Sequence, residues 1–569
     1  MANLFEGASK LKNEAEEIDK VLERLKLTSA RLEKIEKTFS EVENISPDLK
    51  KIKEEIVAIK EEYENIDGKA ISNAINDLVN KIFDSWKLWL LYIPLGGFLI
   101  AFIMVSYFYM TNVRRMAEEN KMGVMPISKL LITMSLPIMI SMLIQALYNI
   151  VDSMFVAQIN EDALTAVSLA FPIQNLMIAV ATGTGVGINA LLSRSLGEKN
   201  REQASAAANN GIFLAILSGI AFLIIGILFS RPFFEMQNAG GRITEYGITY
   251  MTICCSLSIG VFLQITFERI LQATGRTVYT MITQGTGAII NIIMDPILIF
   301  GLFGAPKLGV AGAAIATVFG QVVAMSLAVY FNHRINHDID LHFRSFRPSL
   351  KIIGKIYRVG IPSIIMASIS SVMTFGMNQI LLTFTKTSAA FFGVYIKLQS
   401  FVFMPIFGLN NGLVPIVSYN YGAQNRKRIL KSVQLATCYA LVIMTVGLIL
   451  FESIPQVLLG IFNPSQEMLR IGVPGLRIIA THFIIAAISI VLSTTFQALN
   501  QSSFSLIISI ARQLFVLLPV AYFMSRTGNI NLVWLSYPIA EVVSLILCLF
   551  FFKKIYDEKI KHIPDGADH

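Results

Sequence analysis

Two aspartates lie in stretches of the sequence that are otherwise apolar. Asp152 falls in the first long apolar stretch after residue 130, and Asp295 falls in the fifth. A carboxylate at the centre of a membrane helix costs about 2.5–3.5 kcal/mol on insertion scales, so each one needs a partner or a function. Asn291 lies four residues before Asp295 on the same helix face, and Thr317 lies midway along the next apolar stretch.

These four side chains predict a site for a small cation. Carboxylate, amide and hydroxyl oxygens are the ligands that a hard cation such as Na⁺ prefers. Two carboxylates in a dry site can instead hold a proton. The alternative interpretation is a buried polar network that only fixes helix packing. The leading hypothesis is cation or proton coupling at Asp152, Asn291, Asp295 and Thr317, with no resident cofactor.

Other charged side chains in apolar surroundings invite different interpretations. Arg512 and Glu541, in the eleventh and twelfth stretches, are predicted to form a structural ion pair, with substrate contact as the alternative. Lys397 lies in the eighth stretch, and the sequence allows two interpretations: its side chain faces a central cavity, or it packs between helices. Glu268 adjoins Arg269 near the end of a predicted helix and is expected to be an interfacial charge.

The composition excludes an ordinary soluble protein. Of 569 residues, 54% are hydrophobic and only 15% are charged, whereas soluble proteins carry about 25% charged residues. The sequence contains no nucleophile–base pair, metal motif or phosphate loop, so an enzyme is not expected. The net charge of +8 sums an acidic segment, residues 1–86 with 14 Lys/Arg and 19 Asp/Glu, and a basic remainder. Because that basic excess lies in loops between apolar stretches, a nucleic-acid partner is not expected.

Twelve long apolar stretches after residue 130 predict twelve transmembrane helices in a lipid bilayer. A gap-free offset of 225 residues relates the first six to the last six, pairing Gly187 with Gly412 and Ser193 with Ser418. Six is an even number, so both halves cross the membrane in the same direction, as parallel repeats around a central cavity. The predicted helices lie near 130–157, 164–191, 208–230, 247–268, 278–303, 309–331, 353–382, 388–417, 433–452, 471–497, 502–525 and 530–552.

The predicted cavity walls are rich in methionine and phenylalanine, which suit an adaptable apolar binding surface. The alternative for each of these residues is ordinary packing or lipid contact. The candidate substrate contacts are Phe171, Met177, Met366, Met373, Lys397, Met404 and Phe407.

The chain before residue 114 differs in character. Residues 14–86 carry apolar residues at alternating spacings of three and four, which is typical of a coiled coil. Self-association, docking of a partner protein, a solvated extension and an engineered fusion are the open interpretations of this arm. Residues 88–113 carry no charge and predict an extra transmembrane helix. We therefore divide the chain into an arm (1–86), an extra helix (87–113), an N lobe (114–340) and a C lobe with its tail (341–569).

Basic residues predict the orientation. Lys and Arg cluster in loops on one side of the predicted bundle, together with the C-terminus. By the positive-inside rule this side is cytoplasmic, in a plasma membrane, and the arm is extracytoplasmic.

Three motifs make the sequence resemble a known family. They are the segment from Ser135 to Val156, with NIVD at 149–152, the segment NIIMDP at 291–296, and the loop YNYGA at 419–423. Over about residues 122–556 the chain resembles multidrug and toxic compound extrusion (MATE) transporters of the MepA and DinF-like branches. The resemblance implies two six-helix lobes in a V shape that export amphipathic or cationic small molecules by antiport with Na⁺ or H⁺.

The resemblance also concerns particular residues. It implies that Asp152, Asn291, Asp295 and Thr317 match the first-lobe cation site of the DinF-like branch. The expected mechanism is alternating access with a hinge at Pro137 in the first core helix. One rival is a lipid-linked oligosaccharide flippase of the same superfamily, which would need a more cationic cavity. A second rival is a membrane scaffold or sensor that acts through the arm.

Overall fold

The computed structural model describes residues 120–237, 241–341, 346–462 and 464–565. The predicted arm (1–86) and the predicted extra helix (87–113) lie outside the described residues. Within those four ranges the chain is helical and contains no β-strand. The fold is therefore the all-α membrane architecture that the hydropathy pattern predicts.

The described ranges contain eighteen α-helices. A π-helical segment, Ala511–Leu517, joins the fifteenth to the sixteenth. In chain order the helices are α1 (Lys121–Val124), α2 (Ile127–Ala157), α3 (Glu161–Gly197), α4 (Arg201–Met236), α5 (Gly241–Ser256), α6 (Ile259–Ala273), α7 (Thr277–Phe300), α8 (Val310–Ile335), α9 (Leu350–Leu382), α10 (Lys386–Gly422), α11 (Arg426–Ser453), α12 (Pro455–Gly460), α13 (Gln466–Ala480), α14 (Phe483–Ala498), α15 (Ser502–Ile510), α16 (Leu518–Ser525), α17 (Ile530–Trp534) and α18 (Ser536–Ile555).

Among the described residues, ten helical segments are long and apolar enough to cross a membrane, and up to twelve if each of two bent pairs is one span. These twelve segments correspond in order to the twelve predicted helices. The bent pairs are α5 with α6 and α13 with α14, which turn by 45° and 49°. The prediction of single continuous helices over 247–268 and 471–497 is therefore wrong in detail, because each is two helices that meet at a bend.

The two repeats pack on each other through equivalent glycines. A Cβ atom on Gly187 of α3 would lie 2.2 Å from the carbonyl oxygen of Ile356 in α9. A Cβ on its repeat partner, Gly412 of α10, would lie 2.9 Å from the Cα of Ser135 in α2. The second long helix of each lobe thus approaches the first long helix of the other lobe at backbone distance, which only a residue without a side chain permits. Close packing between helices is therefore the role of these two glycines.

The same symmetry extends to hydrogen bonds inside the lobes. The Ser193 hydroxyl donates to the carbonyl oxygen of Ala273 at 3.0 Å. At the 225-residue offset, the Ser418 hydroxyl donates to the carbonyl oxygen of Ala498 at 2.9 Å. The repeated serines therefore fix the same contact between two helices in each lobe.

Helix α2 packs on both lobes, and Pro137 lies where its contacts pass from the C lobe to the N lobe. Before the proline, Leu130 and Met134 are buried in a cluster with side chains of the C lobe. After it, Ile144 is buried in a cluster with Met281 of α7 in the N lobe. Because proline removes a backbone hydrogen bond of the helix, the structure allows bending where the helix passes from one lobe to the other.

Candidate functional site

Three helices of the N lobe bring the four predicted coupling residues together. The carboxyl groups of Asp152 on α2 and Asp295 on α7 lie within hydrogen-bonding distance of each other. The Asn291 amide nitrogen lies 3.5 Å from an Asp295 carboxylate oxygen and 3.3 Å from the Thr317 hydroxyl on α8. Two carboxylates, an amide and a hydroxyl therefore form one cluster, which we call the acidic site.

Close packing of α7 and α8 accounts for the approach of Thr317. A Cβ atom on Gly320 would lie 2.6 Å from the carbonyl oxygen of Gly287 and 3.2 Å from the Cβ of Asn291. The two helices touch through these glycines. Thr317, almost one turn before Gly320, therefore reaches the amide of Asn291.

Burial leaves the acidic site without the usual partners of a carboxylate. Asp295 is fully buried, Asn291 is nearly so, and Asp152 and Thr317 are half-buried. One oxygen each of Asp152, Asn291 and Asp295 is buried without a hydrogen-bond donor among the described residues. No lysine, arginine or histidine in that part of the chain forms an ion pair with either aspartate. Oxygen atoms arranged in this way can bind a proton or a bare monovalent cation, because both supply the missing positive charge.

The structure adds a polar shell that the sequence did not single out. Tyr148 lies one turn before Asp152 on α2, close to both aspartates, and is hydrogen-bonded to Gln145. The Gln174 amide of α3 donates to the hydroxyl of buried Tyr250 on α5 at 3.2 Å. The spacing of four residues places Tyr148 and Asp152 on the same helix face, which was the signal that the sequence offered. A tyrosine in an apolar stretch, however, resembles an ordinary core residue.

The predicted cavity residues divide into three groups. Phe171, Phe407 and Lys397 are exposed, and the Lys397 amine lies 6.0 Å from the centre of the Phe462 ring. The methionines of the C lobe, Met366, Met373 and Met404, are half-buried.

Met177 requires a correction. It is only 3% exposed and belongs to a buried cluster with Ala215, Phe222 and Phe262 inside the N lobe. Its side chain therefore fills the lobe core and does not line an open cavity in this structure.

The C lobe holds a different charged pair. The Arg512 guanidinium donates to the Glu541 carboxylate at 3.0 Å, and the Glu541 side chain is almost fully buried. At the repeat position of Asp152 stands Met377, which is buried in the apolar core of the C lobe. The structure thus brings Arg512 and Glu541 together, and the acidic site has no counterpart at that position of the second lobe.

Glu268 and Arg269 also require a correction. Both lie inside α6, several residues before its end at Ala273, and they are 2% and 8% exposed. The expectation of an interfacial charge at Glu268 is wrong, because α7 and the C lobe cover this part of the helix.

Two parallel six-helix lobes with a buried acidic site in one of them are the architecture of a membrane transporter. The MatE family model matches residues 137–297 and 362–523, and the chain belongs to this family. The two matches begin 225 residues apart, one in each repeat. As the motifs predicted, the chain is a MATE transporter, similar to MepA, and not an enzyme.

Two relatives and one solved structure are similar to this chain. The chain is 26% identical over 433 residues to the FAD transporter of Shewanella oneidensis, covering 76% of this chain and 95% of the relative. It is 28% identical over 430 residues to the multidrug export protein MepA of Staphylococcus haemolyticus, covering 74% and 93%. A structure described as the outward-facing conformation of a multidrug resistance MATE family transporter superposes with a TM-score of 0.74 at 24% identity, over 79% of this chain and 100% of that chain.

Proposed function

We propose that this protein exports amphipathic or cationic small molecules by antiport with H⁺ or Na⁺, and that the acidic site binds the coupling ion. The observation that carries the proposal is the set of buried oxygens on Asp152, Asn291 and Asp295 without a donor or a protein cation among the described residues. The similarity to a multidrug export protein supports the substrate class.

The mechanism that fits this arrangement is alternating access. The ion binds between α2 and α7, so its arrival or release changes how the part of α2 after Pro137 packs in the N lobe. The part of α2 before Pro137 is held by the C lobe. Ion occupancy therefore shifts the equilibrium between outward-open and inward-open forms, and substrate binding shifts the same equilibrium in the opposite direction.

The proposed orientation rests on the basic residues of the loops. Arg194, Arg276 and Arg426 lie at one end of the bundle with the C-terminal tail, where Arg426 contacts Asp565 at 2.8 Å. By the positive-inside rule we assign this end, with the C-terminus, to the cytoplasm, and we place the transporter in a plasma membrane because its relatives include multidrug export proteins. The arm, which lies outside the described residues, remains a proposed site of self-association or partner docking.

The test of the acidic site is the isosteric variant Asp152→Asn, which removes one negative charge and keeps the size of the side chain. We expect purified Asp152→Asn to bind substrate but to lose ion-driven substrate accumulation in proteoliposomes by at least about tenfold, the effect of 1.4 kcal/mol. Glu235→Gln, which changes an exposed carboxylate paired with Arg231, is the matched control and should transport like the wild type. Transport by Asp152→Asn at the wild-type rate would falsify the assignment.

A further inference from the structure

The N lobe contains a second buried carboxylate, Glu268. Its oxygens accept hydrogen bonds from the Gln264 amide at 3.1 Å, the Thr283 hydroxyl at 3.0 Å and the Gln284 amide at 2.7 Å. All three donors are neutral. Among the described residues, no basic side chain forms an ion pair with Glu268. A nearly fully buried carboxylate in a membrane helix is thus hydrogen-bonded only to neutral donors in the described part of the chain, and the nearby charge of Arg269 acts on it without forming an ion pair.

The two glutamines leave further oxygens unpaired. Each donates its amide nitrogen to Glu268, and the carbonyl oxygen of each, Gln264 Oε1 and Gln284 Oε1, is buried without a donor in the described part of the chain. The cluster therefore resembles the acidic site in composition: carboxylate oxygens lie beside amide oxygens, and among the described residues no protein cation is hydrogen-bonded to any of them. Such a set can bind a proton or a dehydrated monovalent cation.

The basic neighbour of Glu268 is engaged elsewhere. The Arg269 guanidinium donates to the side-chain oxygens of Gln272 at 3.0 Å and of Asn411 at 2.7 Å. Asn411 lies on α10, so this second bond crosses from the N lobe to the C lobe. A Cβ on Gly185 would lie 2.7 Å from the Arg269 side chain, so the missing side chain there makes room for it.

Helix α7 connects the two carboxylate clusters. Gln284 contacts Glu268 and Asp295 contacts Asp152. Gln284 and Asp295 are eleven positions apart, which is about 16 Å of helix. Because α7 begins at Thr277, directly after Arg276 in a basic loop, Glu268 lies between the acidic site and the end of the bundle that we assign to the cytoplasm.

We propose that Glu268, with the amide oxygens of Gln264 and Gln284, is a second binding site for the coupling cation on its way to the cytoplasm; this inference rests on the proposed antiport. When the lobes separate on the cytoplasmic side, Asn411 moves away with the C lobe. Arg269 then loses its partner across the interface and pairs with Glu268, which expels the cation. The Arg269–Asn411 bond thereby links cation release to lobe movement.

The transport test uses Glu268→Gln, which keeps the size of the side chain and most of its hydrogen bonds. We expect folded protein with wild-type substrate affinity, unchanged substrate–substrate exchange across the membrane, and at least tenfold slower accumulation under an imposed cation gradient. The matched control is Glu198→Gln, at an exposed carboxylate paired with Arg194. Accumulation at the wild-type rate would overturn the proposal, because Glu268 would then have no role in coupling. Loss of substrate binding in folded Glu268→Gln would also overturn it, because the defect would then lie in the substrate site.

A binding test separates this proposal from the proposed antiport. Asp152→Asn removes the acidic site. Any ²²Na⁺ or proton that still binds to the detergent-solubilised variant is therefore bound by another group. We expect Asp152→Asn to retain saturable binding of one of these two cations and the double variant Asp152→Asn/Glu268→Gln to lose it. Equal cation binding by the two variants contradicts a site at Glu268, whether or not the wild type is an antiporter.

Discussion

The hydroxyl of Thr317 provides a graded test of the acidic site. It lies 3.3 Å from the Asn291 amide, whose other contact is Asp295 at 3.5 Å. Thr317→Val keeps the shape of the side chain and removes only this acceptor. A hydrogen bond contributes about 0.5–1.5 kcal/mol net, so the apparent affinity for the coupling ion should fall about 2- to 12-fold through poorer positioning of Asn291. A larger loss would identify the hydroxyl oxygen as a direct ligand of Na⁺.

The assay is the ion concentration that gives half-maximal substrate transport in proteoliposomes, measured for wild type, Thr317→Val and Thr317→Ser. Thr317→Ser keeps the hydroxyl and should stay near the wild-type affinity. Thr182→Val is the matched control, because within the described part of the chain the Thr182 hydroxyl bonds only to carbonyl oxygens of its own helix, at Ile178 and Ala179. A Thr317→Val affinity within twofold of the wild type refutes the inclusion of Thr317 in the site.

Two further predictions concern the segment before α2. Buried Arg428 donates to the carbonyl oxygens of Met122 at 2.9 Å and Met125 at 2.8 Å. Arg428→Gln should therefore lower the free energy of unfolding by about 1.5–3 kcal/mol, measured as a lower unfolding temperature. An unchanged unfolding temperature would contradict this anchoring role of Arg428. Burial, and then the charge of Arg276, lower the pKa of Lys121 from 10.5 to about 7. Between these values the unfolded chain binds more protons than the folded one, so the stability should rise as the pH increases from 7 toward 10.5. Lys121→Met should flatten this rise in thermal unfolding curves, and an equal slope in both proteins contradicts the assigned cause.

The helix count and the repeat were predictable because they depend on local signals. Apolar length sets each span, and the repeated glycines mark positions where two backbones touch, as Gly187 and Gly412 do. The bends at residues 257–258 and 481–482 were missed because neither carries proline or glycine. They are set by packing between helices, which a single stretch of sequence does not show.

The acidic site was predictable for a related reason. A charged residue in an apolar stretch is conspicuous, and the spacing of Asn291 and Asp295 places both on one face of α7. The surroundings were harder to predict, because their roles depend on contacts across helices. Tyr148 and Tyr250 resemble ordinary core residues in sequence, and Glu268 beside Arg269 resembles a helix end. The structure instead buries Glu268 under α7 and turns Arg269 toward the other lobe.

The most direct measurement is substrate transport by the wild-type protein in proteoliposomes under separately imposed Na⁺ and pH gradients. The proposed antiport predicts that one of the two gradients drives accumulation against the substrate gradient, and that dissipating this gradient with an ionophore stops it. The Asp152→Asn variant should not respond to either gradient. Accumulation that depends on neither gradient, or that persists unchanged in Asp152→Asn, would contradict coupling at the acidic site.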